Sequence, residues 1–299
     1  MGVNLGGLLM ANPVTVGSGT FGNGKQYAGF YPLNRLGAIT TKGVSGVPWA
    51  GNDNPRIAET ASGMLNSIGL QNPGVESFVA DELPWLATCG VPVIVNVSGH
   101  NASEYAAVIQ RLETESAVSA YELNISCPNI DCGGMGFGTD PQTAYAVTQL
   151  CRKSTSRPLI VKLTPNVTDI SEIACAVEAA GADAISLINT VLGMAIDVKR
   201  RRPVLARKVG GLSGPAIKPI ALRMIYEVYQ AVKIPLLGMG GICTASDAIE
   251  FMLAGATAVA IGTANFTDPM TAPTVVDGIR EFCLEQNIPR VSELTGALL

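Results

Sequence analysis

Eight short apolar runs, most of them followed by a helical pattern, limit what this chain can fold into more than any other feature. They fall near 14–18, 37–42, 92–98, 120–126, 158–163, 183–189, 235–239 and 257–262. Each is close to continuous in apolar residues rather than alternating, as in Val93-Ile94-Val95 and Leu159-Ile160-Val161. Such runs mark parallel strands buried on both faces, because crossover helices cover each side of the sheet. Ile170, Ile173, Ala174 and Val177 form an i, i+3, i+4, i+7 stripe. It predicts a helix after Asp169, with Glu172 completing a capping box and Gly181 as the stop. A second helix is predicted over 244–254, capped by Thr244, with Ala248, Ile249, Phe251 and Met252 on its apolar face and Gly255 after it. The segments 180–186 and 254–260 echo each other: a helix ends at glycine and a buried strand begins almost at once. Eight strands with intervening helices predict an α/β fold, a (β/α)8 TIM barrel, with an open doubly wound sheet as the alternative. The strand-like start from Val3 to Leu9 suggests an N-terminal β-hairpin, and the long excursions an extended loop region over the active site.

No Pro/Gly/Ser-rich linker or charge block divides the 299 residues, so residues 1–299 read as one domain. Only 15% of residues are charged and 47% are hydrophobic, against about 25% charged in typical globular chains, so much of this one must be buried. A net charge of −4 gives no electrostatic footprint for nucleic acid. The one basic run, Lys199-Arg200-Arg201-Arg202, lies in a loop and reads as a solvated segment, or else as part of a docking face or lid. No apolar stretch reaches the roughly 18 residues of a membrane span, and the N-terminus lacks a signal-like basic and apolar pattern, so a cytoplasmic protein is expected. The seven cysteines are never spaced as Cys-x-x-Cys, which argues against a disulfide framework, zinc ribbon or iron–sulfur cluster. His100 is the single histidine, so no multi-histidine metal site is expected and acid–base chemistry falls to Cys, Lys, Asp or Glu.

In a barrel of this kind the reacting groups stand at the C-terminal ends of the strands. Those ends read Gly17-Ser18-Gly19-Thr20, Thr41-Lys42-Gly43, Asn96-Val97-Ser98, Asn124-Ile125-Ser126-Cys127, Lys162, Asn189-Thr190, Gly240-Gly241 and Gly262-Thr263. A lysine near a buried strand end needs an anion, because desolvating an ammonium is costly. Either alone could meet a buried carboxylate, but Lys42 and Lys162 together among Asn, Ser and Thr favour an anionic ligand. The glycine-rich ends of the last two strands sit where barrels commonly bind phosphate. A phosphate site beside neutral amides suits a flavin nucleotide, since Asn offers both a donor and an acceptor to a ring or to a cyclic amide substrate. A lysine near the ring, Lys42 or Lys162, would stabilise the negative charge that develops on reduction. Cys127 precedes the glycine-rich segment 133–138, which can close over a ligand, and its ordinary pKa is near neutrality, so as thiolate it could take a carbon-bound proton. The alternative is a packing cysteine; Cys132 looks similar and lies deeper in the loop.

These residues resemble a known family. Glu122-Leu-Asn-Ile-Ser-Cys-Pro-Asn129, the 62–74 stretch around Asn66, the 161–170 stretch around Lys162, the 210–219 stretch around Gly214, and Gly238-Met-Gly-Gly-Ile242 are similar to dihydroorotate dehydrogenase, from about residue 3 to 285. The resemblance implies FMN-dependent oxidation of dihydroorotate to orotate in pyrimidine synthesis, with Cys127 removing the C5 proton while hydride leaves C6. By motif, Lys42, Asn66, Ser67, Ile68, Gly69, Leu70, Asn124, Asn189 and Thr190 would hold orotate. Ser18, Lys42, Gly43, Asn96, Asn124 and Lys162 would line FMN, together with Ile188, Gly214, Gly240, Gly241, Gly262 and Thr263.

Cysteine as the base implies the soluble class 1, and the surrounding motif is most similar to the catalytic subunit of the NAD-linked type, class 1B. That implies a partner subunit carrying FAD and a [2Fe-2S] cluster, assembled on a homodimer core as a heterotetramer, with no metal in this chain. Thr41-Lys42-Gly43 departs from the Val-Lys-Ala more usual there, which leaves a fumarate-linked enzyme as an alternative acceptor type. Dihydropyrimidine dehydrogenase, a related flavin barrel, carries ferredoxin-like cysteine motifs that are absent here. The readings from other classes are a cofactor-free phosphate-binding isomerase or aldolase with Lys162 as a Schiff-base lysine, and a non-catalytic scaffold.

Overall fold

The computed structural model describes residues 1–126 and 136–299. Its centre is an eight-stranded sheet of β1 (Val14–Val16), β2 (Ile39–Thr40), β3 (Val93–Val97), β4 (Ala120–Asn124), β5 (Leu159–Lys162), β6 (Ala184–Leu187), β7 (Leu236–Met239) and β8 (Ala256–Ile261). The seven ladders in it are all parallel, and each strand pairs with its sequence neighbours, with β8 returning to β1. Between β1 and β2 the closure is made outside a ladder. Gly37 N–H donates to Val14 C=O at 2.8 Å, and the Thr15 hydroxyl bridges Ala38 C=O at 2.9 Å and Thr40 Oγ1 at 3.2 Å. This is the predicted (β/α)8 barrel, and the open-sheet alternative falls.

Among the described residues six longer helices pack around it: α1 (Ala102–Leu112), α2 (Pro141–Arg152), α3 (Ile170–Ala179), α4 (Lys218–Ala231), α5 (Ala245–Leu253) and α6 (Thr271–Glu285). Side-chain caps start α1, α2, α3 and α5 from Asn101, Asp140, Asp169 and Thr244, each satisfying an N–H that the first turn leaves free. The reciprocal capping box forms at Thr244 and Asp247. At α3 it does not: Asp169 accepts the Ser171 N–H at 2.8 Å, and Glu172 plays no part in the cap. Gly181 and Gly255 stop α3 and α5 in the left-handed region at φ 97° and 126°, as expected.

The N-terminal hairpin pairs Val3–Leu5 with Leu8–Met10. Its turn residues Gly6 and Gly7 have φ 59° and 96°, and a Cβ on Gly6 would collide with the Asp183 carbonyl. Buried Leu5 and Leu8 seal the end of the barrel opposite the site. A second, antiparallel sheet comes from two excursions. Ile57–Thr60 and Gly63–Asn66 follow β2; Val191–Met194 and Val209–Ser213 follow β6. This is the region expected over the active site. No described helix is long and apolar enough to cross a membrane.

Candidate active site

A cavity of about 590 Å³ opens at the C-terminal ends of the barrel strands, with the second sheet on one side. Lys162, the last residue of β5, is 6% exposed, and its ammonium lies 3.5 Å from Ser18 Oγ. Lys42 follows β2, and its pKa is lowered first by burial and then by the positive charge of Arg56. Among the described residues neither ammonium has a carboxylate within ion-pair distance. The carboxylate alternative for these lysines therefore finds no partner here, and two cations in an enclosed space call for an anion.

Asn124 stands between them at the end of β4, in register with Lys162. Tyr105 Oη donates to its backbone carbonyl at 2.7 Å, while the side-chain Oδ1 is buried with no partner among the described residues. Asn66 closes the 57–66 hairpin, sits opposite Gly211 and donates to its carbonyl at 3.4 Å. The following turn, Ser67 to Leu70, is fixed from two sides. Asn52 Nδ2 donates to Ser67 C=O at 2.8 Å, and Asn72 Nδ2 donates to Leu70 C=O at 2.8 Å. Gly69 and Leu70 are both left-handed, at φ 75° and 52°, a conformation that a leucine holds only when its surroundings impose it. Ser67 Oγ is another buried atom without a partner among the described residues. Asn189 and Thr190 leave β6, with Asn189 N–H bonded to Leu163 C=O at 3.0 Å.

On the far wall the glycines make a cradle. Gly240 and Gly241 have φ 129° and 82°, and a Cβ on Gly241 would stand 2.8 Å from Gly214 C=O. Gly262 differs, because a Cβ there meets nothing within 4 Å and would project into open space. The cradle is braced from behind. Lys218 Nζ bonds Asp247 at 2.6 Å and Glu250 at 3.0 Å, and Asp247 accepts the N–H groups of Cys243 and Thr244 at 2.9 and 2.8 Å. A cavity with unpartnered amide and hydroxyl oxygens, two cations and a glycine cradle fits a phosphate-bearing ring cofactor beside a small polar anion.

The cavity wall brings together nearly all the positions singled out from the sequence: Ser18, Lys42, Asn66 to Leu70, Asn124, Lys162, Ile188 to Thr190, Gly214, Gly240, Gly241, Gly262 and Thr263. Two do not line it. Asn96 is fully buried, drawn into the barrel by the Glu122 carboxylate at 2.5 Å, and Gly43 packs against Asn96 and Ser98 instead. Cys127 and Cys132 lie outside the described residues. The wall also includes Asn52, Asn166 and Arg207. Asn166 ties the β5 end to the second sheet, bonding Thr190 C=O at 3.1 Å and Leu192 N–H at 2.9 Å. It lies within the 161–170 motif and could have been found by asking which polar groups follow each strand for a full turn. Asn52 and Arg207 have no such signal, since only tertiary folding brings their loops back. The basic run 199–202 sits at the turn of a small hairpin (Ile196–Asp197 with Arg202–Pro203), where Asp197 accepts the N–H groups of Lys199 and Arg200, both at 3.0 Å.

The family model for dihydroorotate dehydrogenase matches residues 1–283. The chain belongs to the dihydroorotate dehydrogenase family. Among relatives of this family, a protein of Geotalea uraniireducens is 55% identical over 299 residues, covering 100% of this chain and 98% of its own. One from Alkaliphilus oremlandii is 55% identical over 298 residues, and one from Lachnoclostridium phytofermentans 54% over 296. All three are named dihydroorotate dehydrogenase B (NAD(+)), catalytic subunit. The membership expected from the motifs around Lys162 and Asn124 thus holds along the whole chain.

Proposed function

We propose that this chain is an FMN-dependent dihydroorotate dehydrogenase of the cytoplasm that forms orotate for pyrimidine synthesis, built as one domain over residues 1–299. The observation that carries the reading is the pair Lys42 and Lys162, two enclosed cations without a carboxylate partner among the described residues, on either side of Asn124. Full-length similarity to relatives named as NAD(+)-linked catalytic subunits supports the same reading. When bound, FMN supplies a two-electron acceptor for the hydride that leaves C6 of the substrate.

The chain's own residues do the rest. Gly214, Gly240, Gly241, Gly262 and Thr263 would hold the phosphate by backbone N–H groups; Ser18, Ile188, Lys162 and Asn124 would border the ring, with Gly43 and Asn96 behind it. Lys162 places a positive charge where negative charge develops, which lowers the barrier only because it is already fixed in a site shielded from water. Lys42 and the Asn66 to Leu70 turn would bind the substrate carboxylate, and Asn124, Asn189 and Thr190 its ring amides. Cys127 takes the C5 proton as thiolate. Electrons would pass on to NAD through a partner subunit bearing FAD and a [2Fe-2S] cluster, on a homodimer core that makes a heterotetramer.

The test is an anaerobic titration of the FMN-loaded protein with dihydroorotate, read in the visible spectrum. The wild type is expected to bleach, and Cys127→Ser to bleach much more slowly at neutral pH, because a hydroxyl is a far poorer base. A colourless protein that binds no FMN would overturn the reading. Assays with NAD and with fumarate, each with and without the partner, decide the acceptor.

A further inference from the structure

Arg56 is a half-buried cation that the proposed chemistry does not use, and it stands outside the cavity wall. It directly precedes the 57–66 hairpin, behind the turn Ser67 to Leu70 that lines the cavity. Its guanidinium reaches both flanks of that turn: Nη1 donates to Asn52 C=O at 3.4 Å and Nη2 to Gln71 Oε1 at 2.7 Å. Its own backbone C=O accepts the Ser67 N–H at 2.8 Å. Asn52 grips the same turn, giving its N–H to Ile68 C=O at 3.0 Å and its side-chain amide to Ser67 C=O at 2.8 Å. The fit is close. A Cβ on Gly51 would stand 2.6 Å from Ile68 C=O and 3.0 Å from the guanidinium, and one on Gly69 would stand 2.7 Å from the Asn52 amide carbon.

A brace of this kind does not need a charge. Both acceptors, the Asn52 carbonyl and the Gln71 amide oxygen, are neutral. Among the described residues no carboxylate lies within ion-pair distance of Arg56. Its charge is felt instead by Lys42, whose pKa is lowered first by burial and then by Arg56. Two like charges so placed repel each other, a cost that a neutral side chain at 56 would not bring. Lys162 and Arg207 stand on the same wall as Lys42, so cations gather around the space that the turn borders. An anion in that space reverses the sign, because a cleft lined by one charge concentrates its field on a ligand of the other. The turn points the same way: Ser67 Oγ is buried without a partner among the described residues, and Leu70 is held at φ 52°.

We infer that Arg56 is a positioning residue for the anionic substrate: its fork locks the Ser67 to Leu70 turn from behind, and its charge draws the substrate carboxylate toward Lys42. This rests on reading the cavity as the dihydroorotate site. Arg56 does not line the cavity, so it acts through the turn and through its field. Only arginine supplies both parts, because its planar fork spans two acceptors where lysine offers a point charge. Its loss weakens binding more than chemistry, since Asn124 and Lys162 stand on β4 and β5, away from the turn.

Three variants of the full FMN-loaded chain separate this from a packing role. Arg56→Met removes fork and charge together. Arg56→Lys keeps the charge without the fork. Gln71→Ala takes away one acceptor, leaves the charge, and serves with the lysine variant should Arg56→Met not fold. Anaerobic bleaching by dihydroorotate gives the half-saturating concentration and the limiting rate, each measured from neutral pH upward. For Arg56→Met the half-saturating concentration should rise about tenfold, with the limiting rate within about threefold of wild type. Its climb with pH should move to higher pH, because Lys42 loses a neighbouring like charge. Arg56→Lys and Gln71→Ala should each raise half-saturation several-fold and leave the climb where the wild type has it. Half-saturation within about twofold of wild type in every variant that folds would overturn the inference and leave the site standing. A rise in Arg56→Met with the climb unmoved would overturn it too, since a merely structural loss does that. So would a limiting rate that falls as far as binding. Failure of dihydroorotate to bleach the wild type would overturn the site reading and this inference together.

Discussion

Two regions of the same barrel, a single inward position apart along β4, are built on opposite terms. Below, at Glu122, each carboxyl oxygen has its donor, and Thr15 and Thr40 share a hydrogen bond across the seam between β1 and β2. Above, at Asn124, among the described residues the side-chain carbonyl has no partner and the nearby Lys42 and Lys162 have no carboxylate. Both regions are enclosed, so both bear the cost of desolvating polar groups. The Glu122 carboxyl recovers that cost within the chain, while the carbonyl of the Asn96 amide bonded to it finds no partner among the described residues. The upper one must recover it from a ligand.

The sharpest way to break the comparison is to remove an upper cation. Lys162→Met should slow dihydroorotate-driven bleaching by about a hundredfold or more, in the range seen when one preorganised electrostatic contact is lost, while the fold survives. Stopped-flow absorbance under anaerobic conditions measures it; a loss below about threefold would mean that the cation is not part of the site.

The cradle gives the next effect. Gly262 looks onto open space, so Gly262→Val adds volume without collision inside the apoprotein. FMN affinity should fall by about tenfold or more with little change in melting temperature. Gly241→Ala should do the reverse in part, lowering stability by about 1–3 kcal/mol, because φ 82° and the Gly214 carbonyl at 2.8 Å both oppose a side chain. Thermal melts of the two apoproteins distinguish the cases.

Lys42 predicts a pH effect. Burial, then Arg56, holds its pKa below the ordinary 10.5. An anionic substrate needs the charged form, which is present at low pH and lost as pH rises through the lowered pKa. KM for dihydroorotate should therefore climb with pH before 10.5 is reached, and Lys42→Gln should start from a higher KM and lose that climb.

The smallest effect belongs to the brace behind the cradle. Lys218 is pushed up by its bond to Asp247, and the Asp247 pKa, which burial alone would raise, is held below 3.8 by Lys218 and by the Cys243 and Thr244 N–H groups. Asp247 thus adds stability that is full above its unfolded value and disappears as pH falls through the lowered one. Lys218→Met should cost about 1 kcal/mol near neutral pH, a shift of roughly 2–4 °C in calorimetry, with FMN affinity reduced a few-fold.

How much of this could be read from the sequence follows the same division. The barrel strands were legible because burial on both faces leaves continuous apolar runs such as Val93 to Val95. Most of the wall was legible too, because strand ends in a barrel converge by construction. The second sheet was not: Ile57–Thr60 and Val191–Met194 alternate only between half-buried and exposed positions, and their sequences carry no apolar–polar alternation to give them away. The Asn66 turn, lying inside that excursion, came from motif resemblance and not from the strand-end rule. Asn96 and Gly43 lie behind the cavity wall because the Glu122 carboxylate attracts the Asn96 amide inward, a tertiary contact that no local pattern announces. Glu122 itself read as one more residue in a buried strand.

A crystal structure of the FMN and orotate complex tests the central claim most directly. Lys42 Nζ, Lys162 Nζ and Asn124 Oδ1 are each expected to find a ligand atom at hydrogen-bond distance, with the Asn96–Glu122–Ser186 cluster unchanged beneath them. Ligands bound elsewhere, with either lysine paired instead to a carboxylate of the chain, would contradict it.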